Sequence, residues 1–220
     1  MTTQLGQINM TSEFGREIYK ICSQPDVSVC VDIGAWNGHG STRCIVQALE
    51  SKKSGHVYSF EVDDKMFAEA SRVWYGNSYV TLTKNRVCTS MMTLEEVIAH
   101  PNYSNISGSN WREWYVGEEK NFNSSTVGTL PDKIDFVIID GGEFSGEGDW
   151  AAVKDKNPKY VALDDVFTVK TSRVRDQLIS SGEWSVFKEG SDRNGWVILV
   201  NTLSLLDDSR VTHSSETPSG

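Results

Sequence analysis

Short apolar runs recur along the chain and are separated by longer segments of mixed character. Five of these runs are rich in Val, Ile and Phe, which is typical of strands buried within a sheet; they lie at 27–33, 56–61, 79–83, 134–140 and 160–164. Two more apolar runs, at 184–188 and 196–201, are joined by a turn with no room for a helix. The pattern therefore predicts seven strands, the last two forming an antiparallel hairpin.

The segments around the strands show the spacing of apolar residues expected of amphipathic helices. The predicted helices span 12–22, 41–53, 63–74, 90–100 and 171–180. Alternating strands and helices predict an α/β fold, with a doubly wound, mostly parallel seven-stranded sheet and an antiparallel edge hairpin. Because no linker interrupts the pattern, residues 1–205 are expected to form one domain, followed by a disordered tail at 206–220.

Residues 101–130 break this regularity. They are rich in Asn, Ser and Gly, yet they contain the aromatic residues Trp111, Trp114, Tyr115 and Phe122. A structureless segment of this length is often a lid or a binding loop. The aromatic residues favour a lid that closes over a bound molecule, and the alternative is a partly disordered surface excursion.

Composition narrows the class of protein. With 38% hydrophobic residues the chain has enough apolar material for a core, and its apolar runs are far shorter than the ~20 residues that span a bilayer. The formal net charge of −9 disfavours sequence-independent binding to nucleic acid. The four cysteines lack metal-binding spacing and predict reduced, partly buried thiols, and the first residues lack the features of a signal peptide. We therefore expect a cytoplasmic protein that uses neither a membrane nor a nucleic acid as partner.

The first strand runs into a glycine-rich turn whose glycines have the spacing GxxxGxG. The dinucleotide fingerprint is GxGxxG, and Arg43 stands where its third glycine would be, so NAD or FAD is disfavoured. A glycine turn followed by an acid at the end of the second strand also suits S-adenosylmethionine, with Asp32 facing its cationic end and Glu61 accepting both ribose hydroxyls. The predicted cofactor-binding residues are Asp32, Gly34, Ala35, Trp36, Gly38, Gly40, Ser41, Glu61, Val62, Arg86 and Asp140.

Acidic residues stand at the ends of four predicted strands. They are Asp32, Glu61, Asp140 and the pair Asp164 and Asp165. The carboxyl ends of parallel strands share one edge of the sheet, where ligands bind in open α/β folds. Because like charges repel, so many carboxylates at one edge require a compensating ligand. The sequence therefore predicts a ligand site there.

Four segments carry a resemblance to a known family: VDIGAWNGHGST, YSFEVD, IDFVIIDGGEF and YVALDDV. Over roughly 12–201 the chain resembles the class I S-adenosylmethionine-dependent methyltransferases. Within them it is similar to the small metal-dependent O-methyltransferases of the catechol and caffeoyl-CoA type, and to their bacterial relatives that modify sugars and antibiotics. The resemblance implies a Rossmann-like methyltransferase fold and methyl transfer to a hydroxyl group.

The same resemblance implies a metal site. In these enzymes an acid ending strand four and an Asp-Asp or Asp-Asn pair ending strand five hold a divalent cation, which implies Asp140, Asp164 and Asp165 as ligands of Mg²⁺ or another divalent cation here. Carboxylate oxygens are the ligands that Mg²⁺ prefers, and the cation would acidify a bound hydroxyl. A Lys or His base commonly follows the strand-four acid by three residues. This chain has Glu143 there, so Glu143 and Asp140 are the candidate catalytic residues.

Three hypotheses of different kinds stay open. The first is a metal-assisted O-methyltransferase acting on a small molecule or a sugar. The second is a metal-independent methyltransferase of the same fold, and the third is a non-catalytic S-adenosylmethionine-binding protein. The sequence leaves the acceptor and the oligomeric state open, a homodimer included.

Overall fold

The computed structural model describes residues 5–204, so the predicted tail at 206–220 lies outside the described residues. One seven-stranded sheet runs through the molecule in the order β3-β2-β1-β4-β5-β7-β6. The strands are β1 Val29–Ile33, β2 His56–Phe60, β3 Val80–Thr83, β4 Phe136–Ile139, β5 Tyr160–Asp164, β6 Trp184–Gly190 and β7 Trp196–Asn201. β1 to β5 pair in parallel, whereas β7 is antiparallel to both β5 and β6. The predicted fold class and edge hairpin are confirmed.

Helices cover both faces of the sheet. They are α1 Glu13–Cys22, α2 Ser41–Lys52, α3 Asp64–Trp74, α4 Leu94–Ile98, α5 Trp111–Ser124, α6 Gly146–Val153 and α7 Ser172–Ser181, with 3-10 turns at Tyr103–Asn105 and Lys154–Lys156. None of the helices within residues 5–204 is both long and apolar enough to pass through a bilayer.

The alternation of side chains along the central strands divides the core into two layers. In β4, Phe136 and Ile138 join the layer under α1 and α2, and Val137 and Ile139 join the layer under α6 and α7. Successive residues of a strand point to opposite faces, so a strand covered on both sides needs apolar residues throughout. This requirement explains the unbroken apolar run that predicted β4. The four cysteines are buried and unbridged, as predicted.

The predicted helix at 90–100 is wrong in length, since only Leu94–Ile98 is helical. Thr93 and Glu96 form a reciprocal capping box, each side chain accepting from the other residue's backbone N–H. Such a box fixes the start of a helix, so the three residues before Thr93 remain outside it. Two helices also lie where the sequence predicted none, α5 within 101–130 and α6 at Gly146–Val153.

The segment at 101–130 is therefore not structureless. Trp111 and Tyr115 lie one helical turn apart on α5, are 3% and 6% exposed, and pack with Phe144 and Val97 in a third apolar cluster. This packing fastens the segment to the loop that follows β4. Trp114, on the other side of α5, is exposed.

Candidate active site

The carboxyl ends of β1, β2, β4 and β5 open onto a cavity of about 630 Å³, a size typical of small-molecule sites. Most predicted cofactor residues line it: Gly34, Ala35, Trp36, Gly40, Ser41, Glu61, Val62, Arg86 and Asp140. The candidate metal ligands Asp164 and Asp165 line it as well. Asp32, Gly38 and Glu143 do not belong to its wall.

The turn after β1 is shaped by a close approach of two strand ends. Gly34 has φ of +99°, and a Cβ there would stand 2.2 Å from the carbonyl oxygen of Asp140. Only glycine meets both conditions. The backbone N–H groups of Gly34 and Ala35 both donate to the Phe60 carbonyl at 3.0 Å. The turn therefore joins the ends of β1, β2 and β4 into one wall of the cavity.

Asp32, a residue of β1, supports this turn through side-chain hydrogen bonds. Its carboxylate is fully buried and accepts hydrogen bonds from the hydroxyls of Ser41, Thr42 and Ser59. Burial raises the pKa of Asp32, and the three hydroxyls lower it in part. The structure thus gives Asp32 a role in anchoring the start of α2. A direct contact with a cofactor stays a prediction.

Glu61 lies at the cavity wall with 9% of its surface exposed. Its Oε2 accepts from the Trp36 N–H at 2.7 Å, and its Oε1 accepts from the N–H groups of Val62 and Asp63 at 2.8 Å. Burial raises the pKa of Glu61 to about 7, against the lowering effect of these three N–H groups. Since a carboxylate offers about four lone-pair positions, one position on Oε2 is left for a ligand.

Across the cavity, Asp140, Asp164 and Asp165 form an acidic cluster that pairs with two basic side chains of the protein. Oxygen atoms of Asp140, Asp164 and Asp165 lie within 4.8 Å of one another. The Lys170 Nζ lies 2.6 Å from Asp140 Oδ1 and 3.2 Å from Asp165 Oδ2, and the Arg193 Nη2 lies 2.8 Å from Asp164 Oδ2. Burial, and next the Asp140 charge, raise the pKa of Asp164 to about 7.

Asp165 has an unusual backbone conformation, with φ of +56°. Non-glycine residues rarely adopt this left-handed region, and such residues concentrate at functional sites where neighbouring contacts hold them. The Asn194 amide donates to Asp165 Oδ1 at 3.0 Å and Lys170 donates to Oδ2. These contacts fix the Asp165 carboxylate toward the cavity.

Helix α5 supplies a further wall. Glu118, Asn121 and Phe122 line the cavity. The two carboxylate oxygens of Glu118 accept from the Phe144 N–H at 3.1 and 3.2 Å, and a Cβ on Gly142 would stand 2.1 Å from Glu118 Oε1. Burial raises the pKa of Glu118 to about 7. Glu118 therefore fills the space that a side chain at position 142 would need.

Arg86 ties the end of α5 to the sheet. Its guanidinium donates to the carbonyls of Cys88, Phe122 and Ser125 and lies 4.3 Å from the centre of the Phe122 ring. These bonds give Arg86 a structural role beside its place at the cavity wall. Its predicted contact with a cofactor stays a prediction.

Solved structures of similar architecture include three from different organisms. A Staphylococcus aureus protein provisionally named as a caffeoyl-CoA O-methyltransferase is 13% identical, with 90% of this chain and 86% of that chain covered and a TM-score of 0.56. The SAH-bound methyltransferase PaMTH1 from Podospora anserina is 12% identical, with 88% and 80% covered and a TM-score of 0.55. A Clostridium thermocellum protein provisionally named as an rRNA methylase is 13% identical, with 91% and 100% covered and a TM-score of 0.50. The chain has a methyltransferase fold.

At these levels of identity the likeness establishes the methyltransferase fold and leaves activity to the site itself. No family model matches the sequence, and no curated protein matches it.

The residue predicted as base, Glu143, is half-buried and does not line the cavity. The Glu143 Oε1 is buried and has no hydrogen-bond partner among the described residues. Burial raises the pKa of Glu143, while the Lys170 charge and the Thr168 hydroxyl lower it. Its part in catalysis stays a prediction.

Sequence reasoning missed several residues of the cavity. Lys170, Arg193, Glu118 and the segment at 5–8 all line it. The sequence could have indicated Lys170, because it is the single charged residue in the run VFTVKT that follows the acid pair. Arg193 and Glu118 stand in polar stretches, where a functional charge looks like any surface charge.

Proposed function

We propose that this chain is an S-adenosylmethionine-dependent methyltransferase that methylates a hydroxyl group on a small molecule or a sugar. One observation carries the proposal. The glycine turn with Glu61 and the acidic cluster with Asp140 lie at the same cavity, on neighbouring strand ends. A cofactor-binding wall beside a wall of fixed charges is the arrangement that group transfer requires.

The residues around the turn fit this cofactor. When bound, S-adenosylmethionine supplies a methyl group activated by a positively charged sulfur. The free lone-pair position on Glu61 Oε2 suits one ribose hydroxyl, rather than the two expected from the sequence. Carboxylates at the wall, Asp140 among them, favour the cationic end. The SAH bound to PaMTH1 supports the choice of this cofactor over a dinucleotide.

In the proposed reaction, an acceptor oxygen attacks the methyl carbon from the side opposite sulfur. S-adenosylmethionine, when bound, would give up its methyl group to that oxygen and keep the electron pair of the broken carbon–sulfur bond, and the part of this chain would be to accept the hydroxyl proton on a carboxylate. Asp140 and Glu143 are the two candidates for that carboxylate. Asp140 lines the cavity, which supports it as the acceptor of that proton.

The insertion is proposed as the wall on which the acceptor rests. Helix α5 presents Glu118, Asn121 and Phe122 to the cavity. The wall as a whole is acidic, with seven acidic and three basic side chains: Glu61, Asp63, Glu118, Asp140, Asp149, Asp164 and Asp165 against Arg86, Lys170 and Arg193. Such a wall lacks the surplus of positive charge that binding to the phosphates of RNA requires. This charge favours a small acceptor despite the rRNA methylase among the similar structures.

The resemblance to metal-dependent O-methyltransferases implies Mg²⁺ at the acidic cluster. The oxygen atoms of Asp140, Asp164 and Asp165 match Mg²⁺ in chemistry and spacing. Each of the three carboxylates, however, already pairs with a cationic side chain of the protein, Asp140 and Asp165 with Lys170 and Asp164 with Arg193. The proposed reaction therefore uses no metal, and the metal-assisted reaction is the second candidate.

The test is calorimetry with S-adenosylmethionine and SAH, followed by transfer of a labelled methyl group to a panel of small hydroxyl compounds. Glu61→Gln keeps the size of the side chain and removes its charge, and the expected loss of SAH affinity is about 1.5–3 kcal/mol. The matched control is Glu50→Gln, on the exposed surface of α2. Equal SAH affinity in wild type and Glu61→Gln would contradict the assignment, and binding without transfer to any acceptor would favour the non-catalytic hypothesis.

A further inference from the structure

The acidic cluster contains a buried lysine whose position the motifs did not predict. We propose that the Lys170 ammonium group is the resident cation of this cluster and closes Asp140, Asp164 and Asp165 to divalent metal ions. The inference deepens the proposed function and rests on it only in treating this cavity as the acceptor site. Metal binding itself is measured independently of methyl transfer.

The position of Lys170 differs from that of an ordinary surface lysine. The residue is 5% exposed, and its Nζ donates to Asp140 at 2.6 Å and to Asp165 at 3.2 Å. These two residues belong to different strand ends, after β4 and at the end of β5. A compact ammonium group thus joins the two halves of the cluster, which is where a bridging cation would lie.

The loop between β5 and α7 fixes this position. The Lys170 N–H donates to Thr168 Oγ1 at 3.1 Å, and the Thr168 hydroxyl donates to the Asp165 carbonyl at 3.0 Å. The Lys170 carbonyl packs against Gly146, where an added Cβ would stand only 2.0 Å away. Because the backbone is held on both sides, the amine is directed at the cluster by the packed loop.

The remaining donors come from the turn between β6 and β7. Arg193 donates to Asp164 Oδ2 and Asn194 donates to Asp165 Oδ1. With the two bonds of Lys170, four of the six carboxylate oxygens in the cluster accept a hydrogen bond from protein: Asp140 Oδ1, Asp164 Oδ2 and both oxygens of Asp165.

A divalent ion would have to displace this arrangement. It would have to bind carboxylates that already pair with Lys170 and Arg193, and it would lie a few ångströms from a buried ammonium of like charge. Repulsion between like charges is strong where water is largely excluded. Lys170 thus occupies the place of the metal and supplies positive charge beside the acceptor.

The experiment titrates Mn²⁺ alone into wild-type protein and three variants, using calorimetry and the electron paramagnetic resonance signal of free Mn²⁺. Lys170→Met removes the ammonium group and keeps the length of the side chain. Lys170→Gln is a polar replacement in case Lys170→Met does not fold, which circular dichroism decides. Arg193→Gln is the matched control, since it removes the same charge from the same cluster and leaves Lys170 in place.

We expect no saturable Mn²⁺ binding by wild type or Arg193→Gln at millimolar concentration, and one Mn²⁺ per chain bound by the Lys170 variant, at least about tenfold more tightly than by wild type. Saturable binding by wild type overturns the proposal. So does equal binding by Arg193→Gln and the Lys170 variant, because net charge would then be the cause. A folded Lys170 variant that binds no Mn²⁺ also overturns it. SAH calorimetry without metal is run in parallel, so a failure of the proposed function appears there and leaves the metal result standing.

Discussion

The carboxyl group of Glu118 makes the stability of the protein depend on pH in a direction opposite to that of a salt-bridged acid. Its pKa rises from an ordinary 4.5 to about 7, first because it is desolvated, and also because Asp149 and Glu143 lie nearby. Between those two pH values the folded chain keeps a proton that the unfolded chain has lost. The free energy of unfolding therefore falls as pH rises through this window, and below and above the window Glu118 adds nothing to its slope with pH.

The size of the effect follows from the shift. One proton changes the free energy of unfolding by 1.36 kcal/mol per pH unit, so Glu118 accounts for a loss of roughly 3 kcal/mol between pH 4.5 and pH 7. Glu118→Gln cannot ionise, and its amide oxygen still accepts from the Phe144 N–H. The variant should match wild type near pH 5 and exceed it by about 2 kcal/mol at pH 8.

The assay is urea denaturation followed by circular dichroism at pH 5, 6, 7 and 8. Glu119→Gln, one residue along α5 on the exposed surface, is the matched control and should keep the wild-type slope. Burial also raises the pKa values of Glu61, Asp149 and Asp164 to about 7, so these groups leave a remaining slope in both variants. Parallel curves for wild type and Glu118→Gln would refute the reasoning.

Three further predictions concern the supports of the site. Asp32→Ala removes the acceptor of three buried hydroxyls and should lower the free energy of unfolding by about 3 kcal/mol in urea titrations; a loss below about 1 kcal/mol would contradict the anchoring role. Arg86→Gln releases the end of α5, so limited proteolysis at 125–130 should become faster while circular dichroism stays unchanged; unchanged cleavage would show that other contacts hold the helix. Trp111→Ala should cost about 3–5 kcal/mol of stability in thermal unfolding, whereas Trp114→Ala, at a site 49% exposed, should change it by no more than about 0.5 kcal/mol; equal effects would contradict the observed packing of α5.

The strands and the acidic strand ends could be predicted because both are local properties of the sequence. A buried strand must be apolar on both faces, as Phe136 and Val137 show, and an acid that ends such a strand is carried to the edge of the sheet. The role of Gly34 could be predicted for a similar reason, since the turn directly after β1 requires a glycine.

Helices α5 and α6 could not be predicted, because distant contacts stabilise them. The composition of α5 is polar, and the helix is held by Trp111 and Tyr115 against the loop after β4. In α6, Gly146 and Gly148 weaken the helical signal, yet a Cβ on either would meet a backbone carbonyl at 2.0 or 2.1 Å. These glycines are required by close packing rather than by a turn.

The basic partners of the acidic cluster could not be predicted either, because their contacts also join residues that are distant in the sequence. Lys170 reaches Asp140 across 30 positions, and Arg193 reaches Asp164 across 29. Motif spacing identified the carboxylates but gave no indication of the basic side chains that neutralise them. It also proposed Glu143 as a site residue from its distance to Asp140 along the chain, whereas Glu143 does not line the cavity.

The position of β7 between β5 and β6 has a consequence for the order in which the protein is completed during synthesis. The ribosome releases β6 before β7, so β6 has no neighbour in the sheet and the edge of β5 stays open until the last strand emerges. Open edges of this kind are where nascent chains misassociate. The turn that brings Arg193 and Asn194 to the acid pair closes in the same event. Each newly made chain therefore pairs β7 with both neighbours and brings Arg193 and Asn194 to the acid pair in the same step.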